Sequence, residues 1–356
     1  MILQRKIRNF FAAALIRVLP FSLFLRMINR LEPENFNFWF LNTSEESIKK
    51  IVRRLSTSPK LEQSRGWVFG KPSSSSQIQS GTYLSIKLKL WNEAKVTKRF
   101  VVVPIKWFSK SEISLPLGTD SSLNTFVYSE YEPTEMFCAS EFINQGDYVV
   151  DLGAHDGLYS FLFSDLVGAQ GKVIAVEANP SQVTHLINAI RSNGITNIDV
   201  VSEAVADFAG NGILKVSRQE HSGHSTLGDY VYPESNSDET ISVRVNTLDL
   251  MLKEKNIKRV DFIKIDIEGF EIRALKGMEN TLSACKPVVL CEVLEGALKN
   301  AGGSRQELVQ LFARNNYLCK AVNRDTGLLC SLENFPESEY IMALPISSTR
   351  ATPTLT

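Results

Sequence analysis

The sequence predicts an α/β fold built on a doubly wound, mostly parallel sheet, with a helical and β-rich extension in front of it. Three observations carry this. From residue 147 onward, buried-strand and helix signals alternate, the pattern of a sheet covered on both faces. The turn after the first strand, in VVDLGAHDGLYS (residues 149 to 160), holds two glycines four apart. A carboxylate stands at the end of nearly every strand that follows.

In order, DYVVDLG is an apolar run of strand length closed by a glycine turn, YSFLFSDLV the helix behind it, and KVIAVEANP the second strand. SQVTHLINAIRSNG is the second helix, with Ser181 expected as N-cap after Pro180 and Gly194 as the stop. IDVVSEAVAD reads as a third strand. A polar excursion carrying HSGHSTL follows, then ISVRVNTLDLML, then VDFIKIDIEGFEIRALKGM as strand, turn and helix, and KPVVLCEV as a further strand. YLCKAV and EYIMAL are short enough to be closing strands. These segments place one domain over residues 131–345 and a frayed tail over 346–356. Residues 1–70 read as a basic, apolar helical region, with Thr43 or Ser44 capping a charged helix in 44–62. KPSSSSQIQSG, residues 71–81, has the composition of a linker, and TYLSIKLKLW and RFVVVPIKWF make residues 82–130 a β-rich preface.

A chain of 356 residues, 44% of them hydrophobic, buries a large core. Its 39 basic and 39 acidic residues give no overall field to gather nucleic acid. Residues 1 to 60, however, hold 11 Lys or Arg against 4 Asp or Glu, which points this end toward an anionic surface such as a membrane. Arg17 and Arg26 divide the opening apolar run, and Pro20 breaks any continuous helix, so it falls far short of the roughly 20 residues that span a bilayer. Its basic cluster (Arg5, Lys6, Arg8, Arg26, Arg30) suits the headgroup region of an inner membrane face, with the chain otherwise cytoplasmic. Five scattered cysteines without a CxxC pair signal neither a disulfide framework nor zinc. His221 and His224 lie in a Ser/Gly-rich loop that reads as solvated.

In an open α/β sheet, ligands bind beyond the carboxyl ends of the strands. Asp151, Gly153 and Gly157 close the first strand, Glu177 the second, Glu203 the third, Asp266 and Glu268 the next and Glu292 the one after. So many carboxylates repel one another unless a cation or a hydroxyl-rich group lies among them. Glu177, 20 residues past Gly157, is placed to accept hydrogen bonds from a ribose. A dinucleotide fits less well, because His155 and Leu158 stand where its fingerprint wants glycine and Asp151 and Asp156 oppose a pyrophosphate. A nucleoside with a cationic tail fits better, and S-adenosylmethionine is such a ligand.

The blocks YEPTEMF, GDYVVDLGAHDGLYS, VIAVEANP, NTLDLML, IKIDIEGFEIRALKG and PVVLCEV together resemble the FkbM family of S-adenosylmethionine-dependent O-methyltransferases, over about residues 120 to 345. KIDIEGFE is the most specific of them. The resemblance implies a class I methyltransferase, Rossmann-like, with a seven-stranded sheet, acting on hydroxyl groups of sugars, glycolipids or polyketide-like small molecules. It also implies that Asp151, Gly153 and Gly157 cradle the methionine end and that Glu177 holds the ribose. Glu203 with Ala204 would border the adenine, and Tyr131 and Glu132 would face the sulfonium. The family often has Asn where this chain has His155, which is carried along as a cofactor contact.

A sugar hydroxyl is a poor nucleophile and needs a base or a metal. Asp266 and Glu268, on a strand that turns at Gly269, and Glu292 from its neighbour are the candidates, with Lys264, His221 and His224 as competing bases. In the metal alternative, Asp266 and Glu292, with Glu268, would hold Mg²⁺ through oxygen ligands; otherwise one of them acts as the base. Read blandly, Asp266 caps the next helix, Glu268 makes a capping box or surface pair, His155 is structural and Lys264 snorkels or pairs with an acid. Two other function classes compete with the methyltransferase reading, an NAD-dependent oxidoreductase and a non-catalytic nucleoside-binding module.

Overall fold

A computed structural model describes residues 21–56, 60–62, 66–68, 77–108, 111–230 and 232–346. The basic opening segment, residues 71–76 of the expected linker and the tail from residue 347 lie outside the described residues. The chain divides into two compact units, Met1–Tyr131 and Glu132–Thr356.

The first unit opens with helices Phe21–Asn29, Pro33–Asn42 and Glu45–Leu55. The last is capped by Ser44, whose side chain accepts the Ser47 N–H, and it buries Ile48, Ile51, Val52 and Leu55 on one face. Two small hairpins, Lys60–Glu62 with Gly66–Val68 and Val102–Trp107 with Ser111–Pro116, flank a long helix Gln77–Thr97. That helix is a correction, because its middle, residues 82–91, was expected as strand and its first five residues as linker. The alternation in TYLSIKLKLW is incidental: the residues that become buried, Ile86, Leu90 and Ala94, recur every four positions with Lys87 and Trp91 beside them, a helical stripe. Only the Val102–Pro116 stretch supplies strands to the β-rich preface, which ends in a short helix Asp120–Ser122 and a π-turn Leu123–Tyr128. Among the described residues, no helix is long and apolar enough to cross a membrane.

The second unit carries the sheet. Its elements are α1 (Pro133–Ser140), β1 (Tyr148–Leu152), α2 (Leu158–Val167), β2 (Lys172–Val176), α3 (Pro180–Ser192) and β3 (Ile198–Val201), then β4 (Ala204–Val205), β5 (Gly210–Lys215), β6 (Thr240–Asn246), α4 (Leu248–Glu254) and β7 (Phe262–Ile265). Next come α5 (Glu271–Lys276), α6 (Glu279–Ala284), β8 (Val288–Glu292), α7 (Glu295–Asn300), α8 (Arg305–Arg314), β9 (Tyr317–Val322), β10 (Leu329–Cys330) and β11 (Tyr340–Pro345). The main sheet runs β3-β2-β1-β7-β8-β11-β9-β10. Its β3, β2, β1, β7 and β8 are mutually parallel, and β11 lies antiparallel to both β8 and β9. The expected seven strands are present, and the eighth is the two-residue β10 at the edge.

The central strands are buried on both faces because they are apolar at nearly every position: Val149, Val150, Leu152, Phe262, Ile263, Ile265, Val289 and Leu290 are sealed from solvent. The IDVVSEAVAD strand breaks in two. β3 stays in the main sheet, while β4 pairs with β6, which pairs with β5, in a separate three-stranded sheet. Helix α3 is capped by Asn179, whose side chain accepts the Ser181 N–H, so Ser181, the expected cap, sits two places past the observed cap and inside the helix. The strand order reverses between β1 and β7, and a crevice at that switch point is where ligands bind in such sheets.

Candidate active site

The backbone builds the first half of the site. Gly153 ends β1 at φ +81°, and a Cβ there would lie 1.8 Å from the Asp266 carbonyl oxygen, so only glycine lets the β1 and β7 turns close on each other. Gly157, at φ +84°, begins α2 against Leu186 of α3. Between them His155 adopts φ +46°. Its N–H donates to Glu177 Oε2 at 2.9 Å, and the Asn179 N–H donates to Glu177 Oε1 at 2.7 Å. Both carboxylate oxygens at the end of β2 are thus fixed by main chain while Glu177 stays 9% exposed. Burial raises the Glu177 carboxyl, opposed by His155 and these backbone donors.

The His155 ring reaches three ways, with Nδ1 3.1 Å from Asp156 Oδ2 and Nε2 3.1 Å from Ser222 Oγ and 3.0 Å from Gln182 Nε2. Asp151 is 0% exposed. It accepts the Ser160 hydroxyl at 2.6 Å beneath the turn, and burial raises its carboxyl. Glu203 pairs with Arg244 at 3.1 Å, leaving its Oε2 buried with no hydrogen-bond partner, and Ala204 lies buried at the start of β4. Tyr131 is the last residue of the first unit, half-buried, and Glu132 the first of the second.

Side chains build the second half. Lys264, on β7, is 3% exposed and donates to Asp266 Oδ2 at 3.0 Å, with its ammonium 4.6 Å over the Tyr159 ring. The Tyr159 and Tyr340 hydroxyls donate to Glu132 Oε2 at 2.8 Å and 3.1 Å, and Tyr340 also reaches Asp266 Oδ2 at 3.3 Å. Burial, the largest single influence, would raise the Asp266 carboxyl, but Lys264 together with hydrogen bonds from Glu292 and Tyr340 holds the group below its ordinary value. Glu268 and Glu292 make no ion pair among the described residues. Burial first, then the Asp266 charge, drives both carboxyls well above the ordinary range. Burial and Asp266 likewise push Glu132 up to about 7. Burial would lower the Lys264 ammonium, yet Asp266, Asp151 and Glu132 together raise it.

Oxygens of Asp266, Glu268 and Glu292 all lie within 4.8 Å of one another. The turn that gathers them has Glu268 at φ +54° and Gly269 at φ +104°. Asp266 does not cap the next helix. The fully buried Glu271 binds that turn instead, accepting the Ile267 and Gly269 N–H groups at 3.2 and 3.0 Å. His224 stands in the excursion, its Nδ1 2.6 Å from Ser235 Oγ and its ring stacked on His221 and against Tyr232. Lys264 is paired with Asp266 rather than snorkelling. The sequence reading missed Tyr159, Tyr340, Gln182 and Ser222. Tyr340 comes from the last strand, 208 residues beyond Glu132, and no spacing signals that contact.

A family model described as the Methyltransferase FkbM domain matches residues 151–319, the stretch from Asp151 of β1 into β9. The chain is 25% identical over 122 residues to a protein-L-isoaspartate O-methyltransferase of Methanococcus aeolicus, which covers 33% of this chain and 53% of that protein. The chain thus spans about half the length of that curated relative. Similar solved structures include a methyltransferase FkbM from Methylobacillus flagellatus KT (16% identity, TM-score 0.35, 63% of this chain and 52% of that one). Another is a SAM-dependent methyltransferase from Aquifex aeolicus (15% identity, TM-score 0.34, 63% and 91%). Over residues 151–319, just under half of its length, the chain is similar to the FkbM family of methyltransferase domains.

Proposed function

We propose that the chain is a S-adenosylmethionine-dependent O-methyltransferase acting on a hydroxyl of a carbohydrate, a glycolipid or a related small molecule. The observation that carries the reading is the pairing of Glu177, fixed at the end of β2 by two backbone donors, with a nest of half-buried acids across the switch point. The donor set suits the cofactor: Glu177 keeps lone pairs for ribose hydroxyls, the two glycines bring backbone close, and carboxylates favour a sulfonium. Glu203 and Ala204, at the end of β3 and the start of β4, would border the adenine. Bound there, the cofactor supplies an electrophilic methyl group on a cationic sulfur.

The residues of the chain do the rest. Positioning of the acceptor oxygen in line with that methyl supplies much of the rate. Asp266, kept ionised by Lys264, is the group that accepts the hydroxyl proton. Glu268 and Glu292, whose carboxyls burial and the Asp266 charge drive well above the ordinary range, line the acceptor side as hydrogen-bond partners for its hydroxyls. A second reading, favoured by the closeness of the three carboxylates, has Asp266, Glu268 and Glu292 hold Mg²⁺ through oxygen ligands and lower the hydroxyl pKa. Activity undiminished by a chelator would remove it. The proposed setting is cytoplasmic, with peripheral contact of the basic amino-terminal end on the inner membrane face.

Calorimetric titration with S-adenosylmethionine, S-adenosylhomocysteine and NAD, followed by labelled-methyl transfer to cell-envelope extracts, tests the reading. Binding of the first two and transfer of label are expected. Tight NAD binding with no S-adenosylmethionine binding would identify an oxidoreductase, and cofactor binding without any transfer a non-catalytic module.

A further inference from the structure

The turn that follows β7 keeps a charged side chain in a conformation that glycine alone adopts freely. Glu268 sits at φ +54°, in the left-handed region, although Gly269 stands beside it at φ +104°. A glutamate there is strained, and it persists only where the surrounding structure fixes it. Here the fixing is applied to a single peptide unit. The Thr226 hydroxyl donates to the Glu268 carbonyl at 2.8 Å, and Glu271 Oε1 accepts the Gly269 N–H at 3.0 Å, so side chains from elsewhere hold both polar ends of the Glu268–Gly269 peptide.

Each of the two grips is itself anchored. Thr226, in the excursion between β5 and β6, exchanges backbone hydrogen bonds with Lys215 at 2.8 and 3.1 Å, and its hydroxyl oxygen also accepts the Gly228 N–H at 3.0 Å. Glu271 opens α5, and the same Oε1 accepts the Ile267 N–H at 3.2 Å, so one oxygen spans the turn. Both residues are buried. On its other sides the turn is confined by backbone. A Cβ on Gly269 would lie 2.7 Å from the Ala297 carbonyl oxygen of α7, and the Asp266 N–H donates to the Leu152 carbonyl of β1 at 3.1 Å. The result is a fixed place for the Glu268 carboxyl, with an oxygen within 4.8 Å of those of Asp266 and Glu292.

We propose that Thr226 and Glu271 are positioning residues of the active site, which grip the Glu268–Gly269 peptide and so hold the Glu268 side chain beside Asp266 and Glu292 in a left-handed backbone conformation. This rests on the methyltransferase reading of the same acids. A glycine at position 268 would relax the turn but remove the carboxyl, so the strain is the cost of placing an acid there. Both residues act through Glu268. Releasing either grip lets the turn relax and the carboxyl shift, and a displacement of about 1 Å in such a group costs on the order of 10²-fold in rate.

The test has one arm that reads the turn and one that reads the reaction, both on the full chain. In urea unfolding, Glu268→Gly should have a higher midpoint than Glu268→Ala, because both lack the carboxyl and only glycine relieves the positive φ. In labelled-methyl transfer to cell-envelope extracts at saturating S-adenosylmethionine, Thr226→Val should lower the rate roughly tenfold or more, with S-adenosylhomocysteine affinity by calorimetry within about twofold of the native chain. Thr226→Ser, which returns the hydroxyl, should restore the rate to within about threefold. Glu271→Gln, whose amide oxygen still accepts both N–H groups, should transfer faster than Glu271→Ala.

A Glu268→Ala chain as stable as Glu268→Gly overturns the inference, since no strain is then held at this position. So does native-like transfer in Thr226→Val, a Thr226→Ser chain no more active than Thr226→Val, or a fall in nucleoside affinity that matches the fall in rate. A native chain that binds S-adenosylhomocysteine yet labels nothing overturns it as well. A native chain that binds no S-adenosylhomocysteine removes the underlying reading, and the positioning role with it.

Discussion

The two halves of the site are built from different materials. At the ends of β1 and β2 the work is done by main chain: two glycines at positive φ and a carboxylate gripped by two N–H groups. At the ends of β7 and β8 it is done by side chains, with one buried lysine set against Asp266, Asp151 and Glu132. Main chain costs little to pre-organise once the fold is set, whereas a buried charge nest is stable only while its charges balance. The first half should therefore tolerate loss of a side chain with a local loss of binding, and the second should not.

Lys264→Met is expected to have the largest effect. It strips the nest of its cation and should destabilise the protein by about 3–5 kcal/mol, the cost of leaving a buried charge without its partner. Urea unfolding at neutral pH checks this, and a loss below about 1 kcal/mol would mean that the two halves are not different in kind. Asp266→Asn should lower methyl transfer to the same extract by roughly 10² to 10⁴ if this carboxylate takes the proton, with cofactor affinity little changed. Glu177→Ala should do the reverse, weakening S-adenosylmethionine by roughly 10- to 100-fold through lost charge-assisted hydrogen bonds, with the fold retained. Calorimetry separates these two cases.

A smaller effect sharpens the contrast by pH. The Glu132 carboxyl is raised on folding, so it favours the folded state at low pH, and that benefit is lost as pH climbs from the ordinary carboxyl range through about 7. Glu132→Gln removes this dependence. Its stability relative to the native chain should therefore rise between pH 5 and 8, by on the order of 2 kcal/mol, in paired denaturation series. Asp266 runs the opposite way, because its lowered carboxyl contributes stability above the ordinary value that is lost on acidification through the lowered one.

The same division explains what could be read in the sequence. Gly153, Gly157 and Glu177 are legible because strand, turn and strand are contiguous, and a main-chain site keeps its parts at fixed spacing. The sheet is legible for the same reason, since fully buried parallel strands are unbroken apolar runs. The charge nest is not legible as a set. Lys264, Asp266, Glu268 and Glu292 stand near one another in two strand ends, but Glu132, Tyr159 and Tyr340 arrive from α1, α2 and β11, and only the topology brings them together. Residues 82–91 of the helix Gln77–Thr97 read as strand because Leu, Ile and Lys alternate there by chance, while the four-residue spacing of Ile86, Leu90 and Ala94 decides which residues are buried.

The central claim is that Glu177 holds the ribose of a cationic nucleoside cofactor at the β1–β2 end of the sheet. A crystal structure of the chain grown with S-adenosylhomocysteine tests it most directly. The account predicts ribose hydroxyls on the Glu177 carboxylate, with the homocysteine end over Gly153 and Gly157. The nucleoside bound elsewhere, with Glu177 and the glycine turn untouched, would contradict it.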